Sequence, residues 1–233
     1  MTIMKREAEL VKTLKDASEQ FRSPCFSSSL SIEDMVITDI IARHELPVEV
    51  FSIDTGRLPD ETYQLMQVIR EQYVIPFSIY APSSSDLEVF VNANGPNAFY
   101  QSINYRKLCC QIRKVVPLKR ALENKDLWVT GLRKQQSVTR TELPLFEWDE
   151  LFGIKKCNPL LDWSLDEVWE YISLYNVPYN ALHDKGFPSI GCAPCTRAVE
   201  KGEDLRAGRW WWESPDSKEC GLHGKNAKIS QEA

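Results

Sequence analysis

The sequence predicts an α/β fold in which a single domain carries a mostly parallel twisted sheet flanked by helices, and three observations predict it. Short apolar runs alternate with helical patterns along the chain, the order that builds a parallel sheet. Three of those runs end in small, polar or glycine residues, at Ser27-Ser28-Ser29, Asp54-Thr55-Gly56 and Gly131-Leu132-Arg133. Open α/β sheets bind ligands at the carboxyl ends of their strands, so these turns mark a binding edge. Finally, 233 residues with 43% hydrophobic content suit one substantial core.

The elements follow in order. Residues 5 to 20 place Ala8, Leu10, Val11 and Leu14 among charges, an amphipathic helix. Pro24-Cys25-Phe26 is a strand that runs into Ser27-Ser28-Ser29-Leu30-Ser31, and Ile32 to Ile41 is an apolar-periodic helix. A strand feeding a small-residue turn at a helix N-terminus offers free backbone N–H groups to a phosphate, and an ordinary serine N-cap explains the same residues equally well. Val48 to Ile53 is a buried strand ending in Asp54-Thr55-Gly56-Arg57, and Pro59 opens a helix through Arg70. Strands at Pro76–Tyr80 and Leu127–Thr130 complete the pattern, the second leading into a basic stretch with Arg133, Lys134 and Arg140. That stretch reads as an anion-closing loop or as a solvated basic loop. Ser164 followed by Glu167 is a capping box, so a helix starts there with Leu165, Val168, Trp169 and Ile172 on its buried face.

Composition excludes several classes. A net charge of -5 argues against a nucleic-acid-coating surface, so any anion site is local. No run approaches the roughly 18 apolar residues of a membrane span, and the N-terminus lacks the apolar region of a signal peptide. The expectation is a cytoplasmic protein. Seven cysteines, at 25, 109, 110, 157, 192, 195 and 220, do not form a disulfide framework in such a chain.

Two of the cysteine groups carry chemistry. Cys109-Cys110 and Cys192-x-x-Cys195 offer four thiolates from two distant places, a set that suits zinc or an iron–sulfur cluster. Adjacent cysteines depart from zinc spacing, which favours a [4Fe-4S] cluster; the alternative is two buried cysteines plus a thioredoxin-like redox pair. Lys114 follows Cys110 at i, i+4, so a continuing helix brings it to that ligand's face. Arg206 and Arg209 share a face as an anion clamp if their stretch is helical. Near the C-terminus, Cys220 stands between Lys218 and His223, cations that favour a thiolate, which makes it the candidate nucleophile.

Taken together the motifs resemble the assimilatory sulfonucleotide reductases. The matching stretches are Ser27-Ser28-Ser29-Leu30-Ser31, Ile53-Asp54-Thr55-Gly56-Arg57-Leu58-Pro59-Asp60-Glu61-Thr62, Cys109-Cys110, Gly131-Leu132-Arg133-Lys134-Gln135-Gln136-Ser137, Cys192-Ala193-Pro194-Cys195 and Glu219-Cys220-Gly221-Leu222-His223. Ser31 stands where relatives often carry glycine, and Ile53 where leucine is usual. Within that family the paired cysteines look like those of adenylyl-sulfate (APS) reductases, which carry one [4Fe-4S] cluster on four cysteines.

The resemblance implies an adenine nucleotide alpha hydrolase-like fold, with residues 1–213 forming the nucleotide- and cluster-binding domain and 214–233 a mobile segment with the catalytic Cys220. It implies reduction of APS to sulfite and AMP through an S-sulfocysteine on Cys220, in sulfate assimilation. Thioredoxin or glutaredoxin is then the reductant and a homo-oligomer the assembly. Expected nucleotide contacts are Ser27, Ser28, Ser29, Ser31, Ile53, Asp54, Thr55, Gly56, Arg57, Gly131, Arg133, Gln136 and Arg140. Lys114, Arg206, Arg209 and His223 are expected on the phosphosulfate. The nearest alternative accepts 3′-phosphoadenylyl sulfate (PAPS), alone or as well, and Lys134 and Arg140 keep it open. An ATP pyrophosphatase-type enzyme lacks support because the serine loop has no paired glycine, and a zinc-stabilised binding module is separated by its metal content.

Overall fold

The computed structural model describes residues 2–136 and 143–214. Its core is one six-stranded sheet in the order β3-β2-β1-β4-β6-β5, built from β1 (Pro24–Ser27), β2 (Glu49–Ile53), β3 (Phe77–Tyr80), β4 (Leu127–Val129), β5 (Phe146–Asp149) and β6 (Ile154–Cys157). Every pairing is parallel except that of β5 with β6. Strand order reverses between β1 and β4, which leaves a crevice beyond their carboxyl ends.

Alternation along the strands fills both faces. Phe26, Val50, Leu127 and Val129 join one cluster with α1 (Ile3–Gln20), α2 (Ile32–Arg43), α3 (Asp60–Gln72) and α7 (Leu165–Tyr175). Cys25, Phe51 and Trp128 point the other way, against Leu118 and Ala121 of α6 (Val116–Ala121). Helix α1 begins two residues before its expected start and buries Ile3, Leu10, Leu14 and Ala17. Among the described residues no helix is long and apolar enough to cross a membrane.

Three features were not foreseen. Helices α4 (Ser84–Asn94) and α5 (Ile103–Cys110) intervene between β3 and β4 in the chain. The β5–β6 pair escaped because Ile154-Lys155-Lys156-Cys157 reads as polar; Lys156 is nonetheless buried, 3.3 Å from Glu147 and 3.5 Å from Asp149, with its ammonium 5.1 Å from the Trp128 ring. Between α5 and α6 the helix passes through a π-helical turn, Gln111–Val115. Pro117 accounts for it: a proline ring collides with the carbonyl four residues back and lacks the N–H, so a widened turn upstream keeps the helix continuous.

Candidate functional site

A cavity of 520 Å³ occupies the crevice beyond β1, β2 and β4. On one wall lie Ser27, Ser28, Ser29 and Ser31, with Ile53 and Thr55 beside them and Gly131, Arg133 and Gln136 after β4. Leu165 and Trp169 of α7 and the stretch from Pro188 to Gly191 line the far side.

The serine turn is held by one buried carboxylate. Asp34 Oδ2 accepts from both the Ser29 N–H and Ser29 Oγ, each at 2.6 Å, and the Asp34 N–H donates to Ser31 Oγ at 3.4 Å. Burial pushes the Asp34 carboxyl up to about 7 against the pull of those serine bonds. Ser31 itself is the N-cap of α2 at an ordinary φ of -70, so its position needs no glycine; Leu30, at φ 63, takes the left-handed turn. Glycine is needed at 131, where a Cβ would sit 2.0 Å from Asp34 Oδ1. Arg133 lines the cavity but is spent on Glu33, with Nε at 3.0 Å and Nη2 at 2.7 Å from its Oε1. Lys134 is likewise paired, with Asp162 at 2.7 Å.

The opposite end is cationic. Lys114, Arg206 and Arg209 all line the cavity there. Residues 204–213 run as turns, so Arg206 and Arg209 do not share a helical face; tertiary structure brings them to the same wall instead. Arg209 is buried, its guanidinium 4.8 Å from the Trp210 ring, and its Nε has no hydrogen-bond partner. Among the described residues it has no carboxylate partner. Gly191 permits that placement, since a Cβ there would lie 2.4 Å from the Arg209 guanidinium.

Next to this wall a smaller cavity is lined by Cys109, Cys110, Cys192 and Cys195 together. Lys114 lines both cavities. Cys192 Sγ donates to Thr55 Oγ1 at 3.2 Å, and Arg113 Nη1 donates to the Thr55 carbonyl at 2.6 Å. Burial raises the Cys195 thiol to about 12 and also raises Cys109, where Arg113 opposes it. The Cys192-x-x-Cys195 pair sits on a 3-10 turn, Ala193–Cys195, rather than at the start of an α-helix whose dipole would activate a thiol. A thioredoxin-like redox pair is disfavoured by that setting. Buried polar atoms without partners, Arg113 Nε and Trp210 Nε1, flank the four thiols, and such donors fit an acceptor-rich inorganic group.

The expected nucleotide contacts divide accordingly. Asp54, Gly56 and Arg57 do not line the larger cavity: Asp54 Oδ1 accepts from the Gly56 N–H at 2.7 Å and from Tyr63 Oη at 2.8 Å, and Arg57 lines the cysteine cavity while bonding Pro96 and Asn97. Reading the turn as one unit missed that Ile53 and Thr55 line the larger cavity while Asp54, Gly56 and Arg57 do not. Glu33 and Asp34 were missed because acids in a helix's first turn are unremarkable; two acids opening an otherwise apolar helix were the available signal. Arg140, Cys220 and His223 lie outside the described residues. Cys25 and Cys157 are core thiols that burial raises to about 12.

The sequence profile of the phosphoadenosine phosphosulfate reductase domain matches residues 23–198, the stretch that holds the sheet, both cavities' strand-end turns and all four clustered cysteines. The chain belongs to that family. Among similar members, the adenosine 5′-phosphosulfate reductase of Allochromatium vinosum is 52% identical over 222 residues, 95% of this chain and 87% of that one. The adenosine 5′-phosphosulfate reductase of Neisseria meningitidis serogroup B is 50% identical, over 93% and 90%. The family's fold is also seen in the crystal structure of phosphoadenylyl-sulfate reductase from Candida auris, with TM-score 0.71, 30% identity, and 82% of this chain and 90% of that one covered. A Candida glabrata FMN adenylyltransferase, at 14% identity and TM-score 0.54 over 90% and 72%, shares the fold alone.

Proposed function

We propose that the chain reduces adenylyl sulfate to sulfite and AMP, with Cys220 as nucleophile. The observation that carries this is the cavity whose one wall holds the serine turn and whose other end gathers Lys114, Arg206 and Arg209. A neutral nucleoside fits the first and a phosphosulfate the second. The cations offset the repulsion between an incoming thiolate and an anionic sulfate, which would otherwise set the barrier.

Cys220 Sγ attacks the sulfate sulfur, the bond from that sulfur to the phosphate oxygen breaks, and AMP leaves with the electron pair. The product on the chain is an S-sulfocysteine. A thiolate of an external dithiol then attacks Cys220 Sγ, sulfite departs, and the dithiol's second thiol resolves the mixed disulfide, so both electrons come from the dithiol. A protein of the thioredoxin or glutaredoxin type is the proposed reductant. A homo-oligomer is proposed as well; Val89 on α4 and Ile103 and Leu108 on α5 remain exposed, apolar surface that a second copy would cover.

Cys109, Cys110, Cys192 and Cys195 are proposed to hold a [4Fe-4S] cluster. All four line one cavity, yet among the described residues no three His, Cys, Asp or Glu side chains stand close enough to share one metal ion. Four thiolates lining one cavity suit a group in which each takes its own iron. When bound, the cluster supplies a fixed charge distribution beside Lys114. PAPS remains the alternative substrate; of the two residues that keep it open, Lys134 is paired with Asp162 and Arg140 lies outside the described residues.

The test is anaerobic purification with iron, sulfide and zinc analysis, and assay of sulfite release from APS and from PAPS. About four irons and four sulfides per chain with turnover of APS are expected. Cys220→Ser is expected to keep metal and nucleotide binding and to lose turnover; retained turnover would refute the nucleophile.

A further inference from the structure

Arg106 and Glu213 form an ion pair that the mechanism above does not use. Arg106 Nε reaches Glu213 Oε1 at 2.9 Å and Nη2 reaches Oε2 at 2.8 Å, with side chains 0% and 3% exposed. Arg106 stands on α5, three residues before Cys109, and lines the cysteine cavity. Glu213 stands seven residues before Cys220. Its neighbourhood is strapped to the other cysteine pair as well: the Glu213 N–H donates to the Trp210 carbonyl at 2.9 Å, and the Trp210 N–H to the Cys195 carbonyl at 3.1 Å. The Arg106 guanidinium also lies 4.6 Å from the Trp210 ring.

A fully buried ion pair adds little stability over well-packed apolar side chains, because desolvation of both charges offsets their attraction. What the two parallel bonds give is direction, since a bidentate fork admits one position and one rotation of the chain that carries the carboxylate. We infer that Arg106 and Glu213 are positioning residues that fix, against the cysteine helix, the chain seven residues before Cys220 and thereby limit the reach of its thiol. The inference rests on the reading of Cys220 as nucleophile. From Glu213 the thiol is confined by chain connectivity to about 25 Å.

The experiment is a single turnover with APS and no reductant, following sulfonate on Cys220 by mass spectrometry, with iron and sulfide content, melting temperature and nucleotide Kd measured on the same samples. Glu213→Gln is expected to keep iron, sulfide and Kd while slowing Cys220 sulfonation about tenfold or more, as small misplacements of a reacting group do. A purely structural pair would instead lower the melting temperature and iron content and slow sulfonation only in proportion. Should Glu213→Gln unfold the chain, the decision falls to an insertion of about eight Gly and Ser residues after Ser214, which leaves the pair intact and is expected to slow sulfonation roughly threefold by dilution of the tethered thiol. Both variants sulfonating at the wild-type rate would overturn the positioning role. Absence of the adduct from the wild-type chain would overturn the reading of Cys220 itself, a separate result.

Discussion

At Asp34 a single carboxylate holds the serine turn through two bonds of 2.6 Å and fills the space that Gly131 leaves open. Because burial raises its folded value to about 7 from the ordinary 3.8, the folded chain holds a proton that the unfolded chain releases. The stability from that proton is fully present below about pH 3.8 and is lost as pH rises through about 7. Asp34→Asn is therefore expected to flatten this part of the pH dependence and raise the melting temperature at pH 8, while weakening substrate affinity; calorimetry across pH checks it. A loss of stability at pH 8 would place Asp34 in the charged state throughout. Gly191→Ala is a second residue-level case, since the new Cβ would displace the Arg209 guanidinium; a rise in KM with iron content unchanged is expected. The serines and Gly131 were legible in the sequence because small residues after a strand have a recognisable pattern, whereas Arg209 was picked out by its spacing from Arg206. The pairing of Arg133 with Glu33 was not, because 100 residues separate the partners and only the fold joins them.

Among the elements, α7 shows how local chemistry is read directly from sequence. Ser164 Oγ accepts from the Glu167 N–H at 3.1 Å, and Glu167 Oε2 accepts from the Ser164 N–H at 2.8 Å, the capping box that the spacing predicts. Ser164→Ala is expected to cost about 1 kcal/mol, seen by calorimetry as a fall in melting temperature of roughly 2–4 °C. Four of the parallel strands were legible for the same reason, as apolar runs bounded by turns. Of strand β6 only its end at Cys157 was legible, since two of its four residues are lysines and the buried one, Lys156, has its charge answered from β5 and from the Trp128 ring, partners that no local window contains. The stretch around Arg206 and Arg209 misled in the opposite sense: its spacing of three suggests a helical face, but the Thr196–Arg209 bridge and the hydrogen bond from the Arg197 N–H to the Gly208 carbonyl fold it back on the Cys192–Cys195 turn instead.

For the whole molecule, the central fact is that two cavities share Lys114. Lys114→Gln is expected to leave iron and sulfide content intact and to lower kcat/KM for APS by about tenfold or more, as loss of one charge aimed at a developing anion does; equal activity would remove Lys114 from the site. That sharing depends on the π-helical turn at Gln111–Val115, which lies between the Cys109-Cys110 pair and α6 and contains Lys114 itself. A π turn amounts to one residue added to an α-helix, and each residue turns the helix by about 100°. The phase between the cysteine pair and everything after it is thus fixed by the number of residues in this turn, which Pro117 holds open. Removing Gln111 or Ile112 would keep Arg113 and Lys114 yet swing α6 out of register with the thiols, so at those two positions substitution is tolerated far better than deletion.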